Sequence, residues 1–357
     1  MKRVIIFTAN SIEKIHPRIE MQQRILEENG FEVRVVRTET RREGPLWEII
    51  NLFGLKYFKF RAIKRFSSQI GECDIAHIYD LQLLPLAKKA KRSGKHVIYE
   101  TLDDNVFLNF HAVSKKILII RPFKKLITGM MSRWERNFSG NHCDRIIVNS
   151  PNLLEKFVKE KVDYIPYTSP LEGLGIEGYD AEKETVFLYL GKLTVSKGTR
   201  EYAHLLKQHK LQLFFFGKAY DKESVDLTVV DSVHSCGNLG MKDLRTELRK
   251  LFERYNPVGL SIIIPENESY ALQEANKDID YISMGIPFIG NERKPTLEKI
   301  RKGTGVLWNE DHAVSDLLGN RNGIYDQCVQ ACKREAEFYS NRNFTESLLK
   351  TYSTIKY

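Results

Sequence analysis

The run FLYLGKLTVSKG, residues 187–198, reads as an apolar strand that ends in a glycine, a polar turn with two lysines, and Lys197-Gly198 at the mouth of an amphipathic stretch. The spacing predicts strand, loop and helix in that order. Two cations and a helix N-terminus then converge just past a buried strand, which suits a diphosphate. By itself the run also describes an ordinary strand–loop–helix with solvated lysines.

Outward from this run, apolar blocks alternate with amphipathic ones. Downstream, strands are expected at 185–191, 211–217, 227–235, 258–265, 286–290 and 306–308. Helices are expected at 199–208, 241–255, 273–284, 297–301, 325–339 and 344–355. Upstream, the strands read as 2–8, 31–37, 74–79, 95–100, 144–150 and 162–166. The intervening helices read as 18–29, 81–92, 114–138 with a break at Pro122, and 151–159. Short strands rich in Val and Ile, separated by helices, are the pattern of a doubly wound parallel sheet. The pattern occurs twice. Between the two occurrences, YTSPLEGLGIEGYDAEKE, residues 167–184, holds three glycines, a proline and five acids and reads as a linker. The expected organisation is a first Rossmann-like domain over 1–168, a linker over 169–184, a second such domain over 185–335, and a C-terminal helix over 336–357 that packs back on the first domain.

The 357 residues suit two domains of ~170. At 42% hydrophobic and 28% charged the chain can bury a core, which excludes disorder. No apolar run approaches the ~20 residues of a membrane span, and the apolar run in MKRVIIFTAN is too short for a signal peptide and reads as the first strand. Cys73, Cys143, Cys236, Cys328 and Cys332 are odd in number and read as ordinary thiols of a reducing compartment. The net charge of +9 is uneven: residues 1–168 hold 30 Lys and Arg against 19 Asp and Glu, and the remainder 25 against 27. The first half is therefore expected to face an anionic surface or ligand.

A second informative stretch is SIIIPENESYALQEANKDIDYISMGIPFIGNE, residues 261–292. A buried strand ends at Pro265, a polar acidic loop follows, and Lys277-Asp278-Ile279-Asp280-Tyr281 opens a helix before Gly285-Ile286-Pro287. A carboxylate here is suited to holding sugar hydroxyls, or Asp278 simply caps the helix.

In combination these blocks resemble the family-4-type glycosyltransferases of the GT-B architecture. That family has a G-R-x-x-x-x-K-G-like loop, matched here by Gly191-Lys192 through Lys197-Gly198. Its K-x-x-E-Y-x-x-x-G-x-P block is matched by Lys277, Asp280, Tyr281, Gly285 and Pro287. HPRIEMQQRILEENGFEVRVV (16–36), DIAHIYDLQLLPLAKKAKRSGKHVIYETLDD (74–104), CDRIIVNS (143–150) and VDYIPY (162–167) are similar to further family blocks, so the resemblance runs nearly the whole chain in order. It implies a GT-B-like α/β fold, two doubly wound Rossmann-like domains facing a cleft with C-terminal helices. It also implies transfer of a sugar, with retention, from a nucleotide-diphosphate sugar. Gly191, Lys192 and Lys197 would hold the leaving diphosphate. Glu268, Asn267, Tyr270, Lys277 and Asp280 would hold the donor sugar and nucleotide. His16, Arg18 and Tyr99 would face the acceptor side, with Asp80 and Asp103 as the catalytic candidates. No metal or bound cofactor is implied beyond the nucleotide sugar as co-substrate. Closure about the linker would exclude water.

The chain departs from the family at several points. Lys192 stands for the usual Arg and loses its bidentate fork. Asp280 stands for Glu. Leu272 falls where the first glutamate is usual, leaving Glu268 to serve. Leu102 falls where a histidine is common, leaving Asp103 or Asp104. Asp278-Ile279-Asp280 is also a D-x-D, too short a signal for a metal site, and the nine histidines form no ligand pair.

LKYFKFRAIKRF (55–66) and VSKKILIIRPFKKLITGMMSRWER (113–136) interleave cations with aromatic and aliphatic residues. They suit an anionic membrane surface, or helices that pack on the sheet with snorkelling lysines. No nucleic-acid module is present. The expected protein is thus a cytoplasmic, peripheral glycosyltransferase with a lipid-linked or glycan acceptor, serving surface polysaccharide or glycolipid assembly. A nucleotide-sugar epimerase on the same fold, or a non-catalytic binder of an anionic polymer or membrane, are the alternatives.

Overall fold

The computed structural model describes residues 1–9, 16–37, 58–114, 118–264 and 273–355. The chain divides into two compact units, one of Met1–Pro166 with Thr345–Tyr357, the other of Tyr167–Phe344.

The first unit is built on a six-stranded sheet in the order β2-β1-β3-β4-β5-β6, with strands β1 (Lys2–Thr8), β2 (Phe31–Arg37), β3 (Ile75–Tyr79), β4 (His96–Thr101), β5 (Arg145–Val148) and β6 (Val162–Tyr164). Every pairing is parallel. All five residues of β3 are buried, as expected of a strand covered on both faces. The chain steps from β1 outward to β2 and then returns to the other side of β1 with β3. The topological switch point is therefore β1/β3, where ligands of such sheets bind beyond the carboxyl ends.

The second unit repeats the plan in the order β12-β11-β10-β7-β8-β9. Its strands are β7 (Glu184–Leu193), β8 (Leu213–Ala219), β9 (Val233–Gly237), β10 (Tyr255–Ser261), β11 (Phe288–Gly290) and β12 (Gly305–Leu307), again all parallel. Its switch point lies at β7/β10. The two sequence stretches singled out above, 187–198 and 261–292, therefore end at one edge.

The structure corrects several expectations. The stretch 227–235 is not one strand: Lys222–Thr228 is a helix that Asp221 caps through Ser224 N, and β9 begins at Val233. The stretch 114–138 is divided, with a helix over Asn105–Ser114, a 3-10 segment over Leu118–Phe123 that contains Pro122, and a helix over Lys124–His142. Residues 169–184 form no free connector, because Leu171, Leu174 and Ile176 are buried in the core of the second unit. The tail residue Tyr352 is buried in the first unit, its hydroxyl 2.8 Å from His77 Nδ1.

Candidate functional site

At the β7/β10 edge, Gly191 has φ 102° and Gly198 φ 87°. Gly198 has a second reason to be glycine, since a Cβ there would lie 2.9 Å from Ile262 Cβ, Ile262 O and Tyr202 Cζ. The backbone thus enters the helix Thr199–His209 pressed against β10. The intervening 3-10 turn, Val195–Lys197, is pinned on both sides. Val195 N donates to Asp221 Oδ2 at 2.9 Å, and Ile264 N donates to Ser196 O at 2.9 Å. These bonds fix where Lys197 sits. Lys192 is exposed, with Nζ 5.5 Å from the centre of the Tyr220 ring. Lys218 on β8 approaches the same ring at 5.6 Å. Tyr220 is 56% exposed. Lys218 and Tyr220 carry no local sequence motif, and only the register that pairs Lys192 with Lys218 brings them to this edge.

Lys277 and Asp280 stand on the helix Asn276–Ser283. Lys277 Nζ is enclosed and finds no hydrogen-bond partner among the described residues. It lies 3.9 Å from the centre of the Tyr189 ring, while the Tyr189 hydroxyl donates to Lys192 O at 2.6 Å. Burial, reinforced by the charge of Lys197, pushes the Lys277 ammonium well below its ordinary pKa. Asp280 accepts from Ser169 Oγ at 2.6 Å. Burial, with Asp278 adding to it, lifts its carboxyl to about 7.

Asp278 does not cap its helix. It is fully buried and accepts from Ser261 Oγ and, at 2.8 Å, from Thr296 Oγ1; Arg293 Nη2 approaches to 4.0 Å. This network ties β10 to the helix Lys294–Arg301. Tyr281 performs a similar task, its hydroxyl lying 3.0 Å from Leu188 O and 3.2 Å from Leu260 O, with its ring filling the space above Gly259. Asn267, Glu268 and Tyr270 lie outside the described residues.

In the first unit, His16 caps the helix Pro17–Glu28, its Nδ1 accepting from Arg18 N at 3.3 Å. Burial, then the Arg18 charge, lowers its pKa, which keeps that nitrogen an acceptor. Arg18 is buried. Its Nε donates to Glu100 Oε1 at 2.6 Å, and its two terminal nitrogens donate to Pro166 O and Ile165 O at 3.0 Å each. Glu100 also accepts from Gln22 Nε2 at 2.9 Å, and His77 Nε2 lies 3.0 Å from it. Burial alone would raise the Glu100 carboxyl, but Arg18, followed by His77, holds it at about 2. Arg18 therefore joins the first helix to the ends of β4 and β6. Tyr99 is likewise fully buried and donates to Glu135 Oε1 at 2.6 Å; Lys156 pairs with Glu135 and, at 2.9 Å, with Asp104.

Asp80 follows β3 at the switch point, with φ 67° and ψ 149°, a region that residues other than glycine rarely enter. Its own amide donates to Glu100 O at 2.9 Å, and its carboxylate lies 3.5 Å from Asn105 Nδ2. Burial, then the negative charge of Asp103, raises the Asp80 carboxyl to about 6. Asp103 follows β4, and its carbonyl accepts from Thr101 Oγ1 at 2.9 Å.

The helix Lys124–His142 carries an apolar and basic outer face. Phe123, Leu126 and Met130 are 54%, 60% and 64% exposed, and Lys125, Arg133 and Arg136 are exposed among them. The helix's one acid, Glu135, is buried. Of the other basic stretch, residues 55–57 lie outside the described residues, and Phe60–Phe66 is a helix that buries Ala62 and Phe66. Among the described residues no helix is long and apolar enough to cross a membrane, and no three metal-ligating side chains cluster.

No protein-family model matches the sequence, and no curated protein is significantly similar to it. Solved structures are similar in fold. HepE of Anabaena, determined with UDP and glucose, superposes with a TM-score of 0.65 at 10% identity, covering 99% of this chain and 100% of that one. The lipopolysaccharide outer core galactosyltransferase WaaB gives 0.62 at 14%, covering 99% of each. A proposed UDP-N-acetylglucosamine 2-epimerase from Listeria monocytogenes gives 0.52 at 12%, covering 99% and 96%. With two parallel six-stranded sheets, each flanked by helices, the chain has the two-domain, Rossmann-like GT-B fold.

Proposed function

We propose that the protein is a glycosyltransferase that uses a nucleotide-diphosphate sugar. What supports this reading is the glycine-opened helix N-terminus beyond β7, with Lys192 and Lys197 on the turn before it and the enclosed Lys277 on the helix after β10. Backbone N–H groups and ammonium groups so placed would meet the diphosphate as the anomeric C–O bond breaks and its electron pair passes to phosphate, which is where charge develops. The lysines supply this charge without a bound cofactor or metal. Tyr220 offers a flat face for the base, and Asp280 a carboxylate for ribose or sugar hydroxyls.

The acceptor would be held by the first unit. Asp80, half-neutral near pH 6, would receive the acceptor hydroxyl's hydrogen bond, with Asp103 beside it and His16 at the same switch point. The acceptor oxygen forms its bond to the anomeric carbon on the face the diphosphate leaves, so configuration is retained and the hydroxyl proton passes to the departing phosphate. A lipid-linked or glycan acceptor suits the basic, partly apolar face of Lys124–His142, which would hold the protein to the cytoplasmic face of an anionic membrane for polysaccharide or glycolipid assembly.

The similarity to a proposed 2-epimerase supports a second reading, in which the sugar is altered without an acceptor. One assay separates the two. A panel of nucleotide sugars is incubated with and without membrane lipids, and the products are resolved. Acceptor-dependent release of free nucleoside diphosphate is the expected result. A changed sugar still attached to its nucleotide would establish the epimerase instead, and no product in either arm would refute both.

A further inference from the structure

Lys277 is a cation whose surroundings do not suit a charge. Its Nζ has no hydrogen-bond partner among the described residues, and the Tyr189 ring covers it at 3.9 Å. The acids of its own helix are hydrogen-bonded to other groups: Asp278 is engaged by Ser261 and Thr296, and Asp280 by Ser169. Among the described residues, burial and the charges of Lys197 and Arg293 disfavour its ammonium form, and Asp278 and Asp280 oppose them only in part. A ring face returns to a desolvated cation only a small part of its lost stabilisation. Enclosing an ammonium without an acceptor costs several times that, so such a group gives up its proton instead.

We propose that Lys277 is an uncharged amine in the unliganded protein and takes up a proton when the diphosphate of a nucleotide enters, so that donor binding is coupled to proton uptake. The incoming phosphate oxygens supply the acceptor and the negative charge that the amine lacks, and both favour its ammonium form. The direction of the Lys277 pKa agrees. Binding that takes up a proton weakens as the pH rises, up to tenfold per pH unit for one proton. The coupling would favour a fully ionised diphosphate over a neutral or singly charged ligand, because only the former returns the cost of charging a buried amine. This inference rests on the donor reading above and adds to it a group that sequence and fold alone present as one more lysine.

The test is isothermal titration of the intact protein with UDP, ADP and GDP at pH 8, where the free diphosphates are already ionised, in Tris, HEPES and tricine. For the diphosphate that binds, the dependence of heat on buffer ionisation is expected to report uptake of close to one proton. Lys277→Met should abolish the uptake and weaken binding at least tenfold. Lys277→Arg, whose charge is permanent, should abolish the uptake and serves if the Met variant does not fold. Binding with no buffer dependence, or uptake that persists in a folded Lys277 variant, would overturn the coupling and leave the donor site intact. Failure of all three diphosphates to bind would overturn the donor reading itself.

Discussion

Removing the Arg18 guanidinium separates a structural role from a substrate-facing one. In Arg18→Ala the Glu100 carboxylate keeps its burial but loses the 2.6 Å bond from Nε, and the carbonyls of Ile165 and Pro166 lose their donors. Breaking one side of a buried ion pair costs about 3–5 kcal/mol. At roughly 2–4 °C per kcal/mol for a unit of this size, the first unit's melting temperature should fall by roughly 6–20 °C. The pH dependence has a definite sign. Glu100 is depressed to about 2 in the folded protein, so its contribution is present above the ordinary carboxylate range and is lost as the pH falls through that range toward 2. That contribution is about 3 kcal/mol. Without Arg18 the carboxyl rises, and the acid-induced loss should begin at higher pH. The assay is urea unfolding of wild type, Arg18→Ala and the double variant Arg18→Met/Glu100→Gln between pH 3 and 8, followed by tryptophan emission. Partial recovery in the double variant is expected. An Arg18→Ala protein less than 1 kcal/mol less stable than wild type, yet inactive toward acceptor, would refute the reasoning and return Arg18 to the acceptor side.

Three further outcomes are expected. Gly198→Ala combines a positive-φ penalty of about 1–2 kcal/mol with overpacking of about 1–3 kcal/mol against Ile262 and Tyr202, so urea unfolding should show loss of both stability and donor affinity. Asp80→Asn removes a carboxyl raised to about 6, whose ionisation opposes folding as the pH rises from about 4 to about 6. The variant should therefore gain about 3 kcal/mol at pH 8, little at pH 4, and lose transfer activity, as paired unfolding curves and rate profiles would show. Leu126→Asp with Lys125→Glu should weaken sedimentation with anionic vesicles about tenfold or more while leaving binding to neutral vesicles and the fold unchanged.

The doubly wound plan was legible because strands buried on both faces, such as β3, are near-continuous apolar runs whatever their neighbours do. Position along the chain also brought Gly191, Lys192, Lys197 and Lys277 to notice, and topology then placed them at one switch point. Other roles depended on contacts across long sequence separations. Arg18 reads as a loop-proximal cation, and only its pairing with Glu100, 82 positions away, reveals it as a brace. Asp278 reads as a cap until Thr296 and Ser261 are seen to engage it. Tyr220 and Lys218 carry no local motif and are brought beside Lys192 by strand register. The 169–184 stretch has a linker's composition, yet its Leu171, Leu174 and Ile176 are three apolar side chains the second core needs.

The proposed donor site at the β7/β10 edge is tested most directly by thermal unfolding of wild type and Lys197→Ala with nucleoside diphosphates and their sugars. A ligand at 100 times its dissociation constant stabilises the unit that binds it by about 2.7 kcal/mol. The expected result is that one base raises the melting temperature of the wild type and that Lys197→Ala, still folded, loses the rise. No rise with any nucleotide, or an equal rise in the variant, would contradict a donor site built on Lys197.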